Sequence, residues 1–404
     1  MRPLRQITFL LEDFALQTPA QQLLDRFLIG YRRDGEFHRP ADVRIVAHLA
    51  GGTNAELSRR AAEFGLSRAQ SVGEALHAAD AVIAVPASSA ATPAAALVEA
   101  MLESAPRGAA CFVCGALAND LASAQTRVAR AAARELTFTA GTAWPVTWRL
   151  PEVDLPADAR VDEALIVVQG PTPLAELHAL EGLLPVLARR RGGERGVRRV
   201  RFVAGGTLWR AGDRGEWSWP LLAAALSRSD SPQGDSLVDG RTQDLVGLGV
   251  VPKLARDPRG WLVEHADGVR TTLLVLDGVV ADHNFAVRLR GGQTISAQLF
   301  RAPVPAEEHF SRLAAVLEDF FRTGKIPWPQ SRAVLTAGLL DALRHSSTRT
   351  SAWLATPQLL ATNLGVGTAR PHARELKKLT AGDEPSQPRF SGSAREFARR
   401  IFSP

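Results

Sequence analysis

Only four lysines stand among 404 residues, against 44 arginines, and the first of them is Lys253. Before that position no ammonium group is available to hold a substrate or move a proton, and a guanidinium is a poor proton donor at neutral pH. Two cysteines, Cys111 and Cys114, are too few for a disulfide framework, which agrees with a reducing compartment. No run approaches the roughly 18 to 20 uncharged apolar residues of a membrane span. The first segment carries Glu12 and Asp13 where a secretion signal stays apolar. These absences lead us to expect a cytoplasmic protein with no membrane partner. What is present, 46% hydrophobic and 22% charged residues, suits a globular chain long enough for two domains.

The net charge of +6 is concentrated at one end. From Arg370 to Pro404 there are eight basic and four acidic residues, so this stretch supplies +4 and the remainder is nearly neutral. A second cluster, Arg189, Arg190, Arg191, Arg195, Arg198, Arg199 and Arg201, has no aromatic residue among its arginines. It reads as a solvated helix end, where cations are favoured, rather than as a phosphate track. Nucleic-acid binding is not expected and would rest on the tail alone.

The first 145 residues alternate strand and helix patterns. Strands are expected at Gln6 to Leu11, Val43 to Leu49, Ala81 to Val85, Ala109 to Val113 and Leu136 to Ala140. Between them lie helices from Pro19 to Tyr31, from a Thr53 or Asn54 cap to the stop at Gly65, after the Ser71 cap, and over Thr92 to Ser104 and Leu121 to Glu135. Such alternation with short connections builds a parallel sheet covered on both faces. A second region begins with a strand at Ala164 to Gln169, a helix at Leu174 to Arg190 and a strand at Val197 to Val203. A turn-rich stretch containing Trp209, Trp217 and Trp219 follows. Gly260 to Leu299 reads as three strands broken at Ala266-Asp267-Gly268, Leu276-Asp277-Gly278 and Gly291-Gly292, paired antiparallel through tight turns. Helices over Glu307 to Thr323 and Ser331 to His345 close the region. The expected class is α/β: a Rossmann-like parallel sheet domain over 1–145, an α+β domain with a largely antiparallel sheet over 146–355, and a basic, flexible tail over 356–404.

Several segments, taken in order, resemble the Gfo/Idh/MocA family of oxidoreductases from about Gln6 to Ala355. They are Val43-Arg-Ile-Val-Ala-His-Leu-Ala50, the helix Glu56 to Leu66 with its terminal glycine, Ser71 to Pro86 ending a strand in proline, and the late helix pair with Thr323-Gly-Lys-Ile-Pro-Trp-Pro329 between its members. The resemblance implies an NAD- or NADP-dependent oxidoreductase acting on a sugar-like or other small polar substrate. It also implies where the cofactor would be met: at Leu11 and Glu12 after the first strand, Asn54 after the second, Pro86 after the third and Gly115 after the fourth. Each of these places except Pro86 departs from the family pattern. Leu11 to Ala20 has no glycine to let a pyrophosphate approach the backbone and carries two carboxylates instead. Asn54 stands near the missing ribose-binding acid. Gly115, in Cys111-Phe-Val-Cys-Gly-Ala-Leu-Ala118, occupies the place of the family lysine.

Glu176-Leu-His-Ala-Leu-Glu181 resembles the family's His-x-x-Asp helix, with His178 and Glu181 in those places and Leu174 where an upstream aspartate belongs. A spacing of three sets both side chains on one helix face. The imidazole suits acid or base work near neutrality, oriented by the carboxylate; the alternative is a surface histidine beside an ion-pairing neighbour. The other histidines, His265, His283 and His309, lack metal-ligand spacing, although Asp282-His283 follows a strand and can reach the cleft. Cys111 and Cys114 point to opposite faces of a buried strand and read as packing residues. Trp217-Ser-Trp219 with Arg210 and Arg214 can line a sugar or anion site, or pack a loop on the sheet. Catalytic inactivity, with the fold kept as a ligand-binding or assembly module, is the competing reading. The second sheet is expected to leave one face open, and so to support a homo-oligomer.

Overall fold

The computed structural model describes residues 4–33, 35–52, 54–87, 89–92, 94–231, 244–349 and 351–363. Short apolar runs form the first sheet: β1 (Gln6–Leu11), β4 (Arg44–Leu49), β5 (Ser67–Arg68), β6 (Ala81–Val85), β7 (Ala110–Cys114) and β8 (Thr137–Gly141). All neighbours are parallel, in the order β5-β4-β1-β6-β7-β8. Counting within the sheet, this is the doubly wound order 3-2-1-4-5-6, whose ligand crevice lies where the order reverses, between β1 and β6. The hairpin β2 (Tyr31–Arg33) and β3 (Glu36–His38) stands apart from the sheet.

Helices cover both faces. They are α1 (Pro19–Leu28), α2 (Ala55–Phe64), α3 (Val72–Leu76), α4 (Ala95–Ser104) and α5 (Leu121–Ala133). Their ends follow local chemistry: Asn54 and Ser71 accept a backbone amide from the third helical residue, and Gly65 ends α2 in the left-handed conformation. Alternation along the strands puts Leu10, Val82 and Cys111 in one core, and Phe9, Ile83 and Cys114 in the other.

The second sheet is built from β9 (Arg149–Leu150), β10 (Val161–Val168), β11 (Val197–Ala204), β12 (Arg256–His265), β13 (Arg270–Asp277), β14 (His283–Leu289), β15 (Thr294–Leu299) and β16 (Leu354–Ala355). Its order is β16-β11-β12-β13-β10-β14-β15-β9. Gly260 to Leu299 thus contributes to four strands, one more than expected. The expected antiparallel pairing across Leu276-Asp277-Gly278 is also corrected, because β10 lies between β13 and β14, parallel to the first and antiparallel to the second. A turn sequence reports the reversal of the chain, not which strand fills the space beside it.

Helix α6 (Leu174–Leu187) packs on one face of this sheet. The opposite face was expected to be open and is not. The tryptophan-rich stretch forms α7 (Gly205–Asp213) and α8 (Trp219–Leu226), with the short α9 (Val251–Leu254) behind them, and together they bury Leu165, Val167, Leu262, Leu274 and Ala286. That surface is therefore removed as the basis for a homo-oligomer. Trp217 is fully buried, its Nε1 donates to the Leu208 carbonyl, and its ring lies 2.6 Å from where a Cβ on Gly212 would stand. The indoles pack a layer instead of lining a binding site. Trp217→Ala is expected to lower stability by about 3–5 kcal/mol in urea denaturation; a loss below about 1 kcal/mol would show that the layer is not held by this side chain.

The last two helices return to the first sheet. In α10 (His309–Thr323), Leu313, Leu317, Phe320 and Phe321 join Phe9 and Phe27, while α11 (Gln330–Ser347) lies against α5 and the second sheet. Arg26 of α1, almost fully buried, donates to Ser311 and to the carbonyls of Ala306 and Glu307. Helix α11 thus joins the first domain to the second sheet. Beyond β16, Thr356 donates to the Val197 carbonyl and Leu359 is buried. The basic tail from residue 364 on, including the short helix envisaged near its end, lies outside the described residues. Among the described residues no helix is long and apolar enough to cross a membrane.

Candidate functional site

Four aromatic rings meet where the second sheet faces the end of the first. Trp144 opens a 3-10 turn just past β8, His178 lies on the second turn of α6, His283 begins β14 and His309 begins α10. The His283 ring stacks on Trp144 at 4.2 Å between centroids and 18° between planes. His178 lies 5.2 Å from Trp144 and 5.5 Å from His283, and His309 stacks on Trp144 at 6.1 Å. Among the described residues, both ring nitrogens of His283 and Nδ1 of His309 are buried without a hydrogen-bond partner. Left unpaired, such groups cost roughly 1–3 kcal/mol each, so the cluster favours a polar partner. His178 is half-buried and gives the cluster its contact with solvent.

Burial is the first cause that holds all three imidazoles uncharged. It lowers His178 to about 4 and His309 to about 3, and carries His283 well below its ordinary value. Arg301, ion-paired with Glu307 at 2.9 Å, adds to each shift, and His178 disfavours charge on the other two. At neutral pH each ring therefore offers one N–H and one acceptor nitrogen. This arrangement can hold hydroxyl or carbonyl groups and accept a proton.

Glu181 makes its hydrogen bonds to residues other than His178. It accepts from the Thr142 amide at 3.3 Å, the Thr336 hydroxyl at 3.3 Å and Arg332 at 3.4 Å, all of them far from it in sequence. The Arg332 guanidinium stacks over Trp328. Glu181 thus belongs to a buried ion pair that joins α6 to α11. Sequence reasoning also missed Trp144, His309 and the part played by His283; the adjacent Asp282-His283 at a strand start was the one available signal. Cys111 and Cys114 are buried with their thiols pushed up to about 12 by burial, and so are unreactive. Among the described residues no group of three or more His, Cys, Asp and Glu could hold a metal ion.

The other sequence candidates follow strands of the first sheet. Leu11 is fully buried at the end of β1. Glu12 reaches across the crevice, where its carboxylate accepts from the amides of Ala87, at 3.0 Å, and Ala94. Phe14, 4% exposed, fills the turn under Arg60, whose guanidinium lies 5.3 Å from the ring centroid. Asn54 has both ends of its amide engaged: Oδ1 caps α2 and Nδ2 donates to the Phe14 carbonyl at 2.8 Å. Pro86 is buried beside Gly115, which has φ +109° and donates to the Gly141 carbonyl. A Cβ on Gly115 would stand 2.5 Å from the Ala91 carbonyl oxygen.

No protein-family model matches the chain, and no curated protein sequence matches it. Solved structures do match. The myo-inositol dehydrogenase of Lactobacillus casei, in complex with NAD(H) and myo-inositol, shares 11% identity over 88% of this chain and 97% of its own, with a TM-score of 0.54. The biliverdin reductase of Synechocystis sp. PCC 6803, in complex with biliverdin and NADP+, shares 12% identity over 85% of this chain and 98% of its own, with a TM-score of 0.50. The myo-inositol dehydrogenase of Corynebacterium glutamicum ATCC 13032 shares 9% over 87% and 99%, with a TM-score of 0.52. This chain shares the fold of these solved structures.

Proposed function

We propose that the chain is a divergent oxidoreductase of the Gfo/Idh/MocA type that acts on a sugar-like or other small polar molecule at the Trp144–His178–His283–His309 cluster. The observation that carries this reading is the convergence of three uncharged imidazoles, two of them with unpartnered buried nitrogens, at the mouth between the two sheets. In this reading His178 accepts the proton of a substrate hydroxyl, because its ring is neutral and alone among the three reaches solvent. His283 and His309 hold neighbouring polar groups of the substrate, and Trp144 gives one wall and excludes water. Glu181 and Arg332 fix α6 and so position His178. A cytoplasmic setting accords with the two free, buried cysteines.

NAD or NADP is the cofactor this reading calls for, supported by the NAD(H) and NADP+ held by the structures that share the fold. The crevice residues, as they stand, do not fit it: Glu12 holds the amides an anion would take, Phe14 fills the turn and Asn54 is committed to its cap. The same facts favour a second reading, a catalytically inactive module that keeps the ligand cluster.

Turnover by the unaltered chain decides between them, and His178→Ala tests the role of the imidazole. Turnover of a polyol or sugar panel with NAD+ or NADP+ is expected to fall about 100-fold or more in this variant, with melting temperature unchanged. Turnover equal to that of the unaltered chain would sink the assignment of His178, and absence of turnover in the unaltered chain would leave the inactive module.

A further inference from the structure

The ends of β1, β4 and β6 meet at the point where the sheet order reverses, the place at which doubly wound sheets hold their ligands. In this chain the space is spanned from within. The Glu12 amide donates to the Val85 carbonyl, fixing the residue over β6, and its side chain continues toward α4. One carboxylate oxygen takes the Ala87 amide, directly after Pro86, and the other takes the Ala94 amide at the N-cap of α4, which has no side-chain cap of its own. A ten-residue helix presents partial positive charge at that end, and amides so placed bind anions, bound or built in.

The neighbouring anion position is closed as well. Pro19 at the start of α1 has no N–H, and Thr18 caps the Gln21 amide. Phe14 is held in the turn by Asn54 and Arg60, and the Arg60 charge is met by Asp25 and Glu56.

We infer that Glu12 is an internal anion of the switch-point crevice, competing with the negatively charged part of any dinucleotide. The dinucleotide enters only when the carboxylate withdraws from Ala87 and Ala94. Two charge-assisted hydrogen bonds and one formal charge oppose it, so removing the charge relieves the competition and removing the side chain also opens the space. This inference rests on the dinucleotide reading proposed above.

The test is titration of the full chain with NADH and with NADPH, followed by nicotinamide fluorescence, for the unaltered protein, Glu12→Gln and Glu12→Ala. Both variants are expected to bind one of the two at least about tenfold more tightly than the unaltered chain, with Glu12→Ala the tighter. Equal affinity in all three would overturn the competition and leave the dinucleotide reading standing. Weaker binding by the variants would overturn it too, making Glu12 a ligand to the cofactor. No binding by any of the three, with melting temperatures showing that the variants fold, would overturn both the competition and the dinucleotide reading.

Discussion

Placing a lysine at position 115 destabilises the protein by about 2–5 kcal/mol. The family resemblance makes Gly115→Lys the obvious repair, since it implies a lysine at this position, but the backbone forbids it. At φ +109° an L-residue is strained before any side chain is considered. A Cβ there meets the Ala91 carbonyl oxygen at 2.5 Å, and that oxygen is already held by the Ala116 amide at 2.8 Å. The obstacle is backbone, so it does not swing aside as a side chain tip would. Gly115→Ala should therefore show most of the same loss in urea denaturation, because the clash begins at Cβ. A Gly115→Lys protein as stable as the original would refute the argument.

This position also shows how the sequence can be read correctly and still incompletely. The positions of the main strands in the first sheet, the Asn54 and Ser71 caps and the Gly65 stop were legible because each depends on residues close to it in the chain. The absence of a lysine at Gly115 was legible too. Its cause was not, for the wall is Ala91, brought there by a segment that also receives the Glu12 carboxylate across 82 residues of chain. The same limit hid the ring cluster. His178, His283 and His309 lie on three elements, and nothing in their spacing reports that β10 enters between β13 and β14 and so carries β14 to the cleft.

The tryptophan layer failed for a different reason. Gly205, Gly206, Gly212 and Pro220 look like turn residues. Gly212 is there so that the Trp217 ring can approach, and Pro220 sits in the first turn of α8, where a missing N–H costs nothing. Local propensity was overridden by packing, and with it went the expectation of an open sheet face.

The ring cluster makes the fold acid-sensitive in a defined window. His178, His283 and His309 are held below the ordinary histidine value in the folded chain, so between pH 6.5 and about 3 the unfolded chain binds more protons than the folded one. Stability therefore falls as the pH drops below 6.5, and it stops falling on their account once the folded values are passed. For His178, moved from 6.5 to about 4, the loss is about 3 kcal/mol at 1.36 kcal/mol per unit, an upper figure for a half-buried ring. The three do not simply add, since charging one ring further opposes charging the others. Urea denaturation at pH 7 and pH 4.5 should show a loss of several kcal/mol, and His283→Phe should remove a clear part of it. Phenylalanine keeps the face against Trp144 and cannot ionise, so the variant loses little at pH 7 and gains relative to the original at pH 4.5. Parallel stability curves for the two proteins would mean that the buried imidazole is not what the acid attacks.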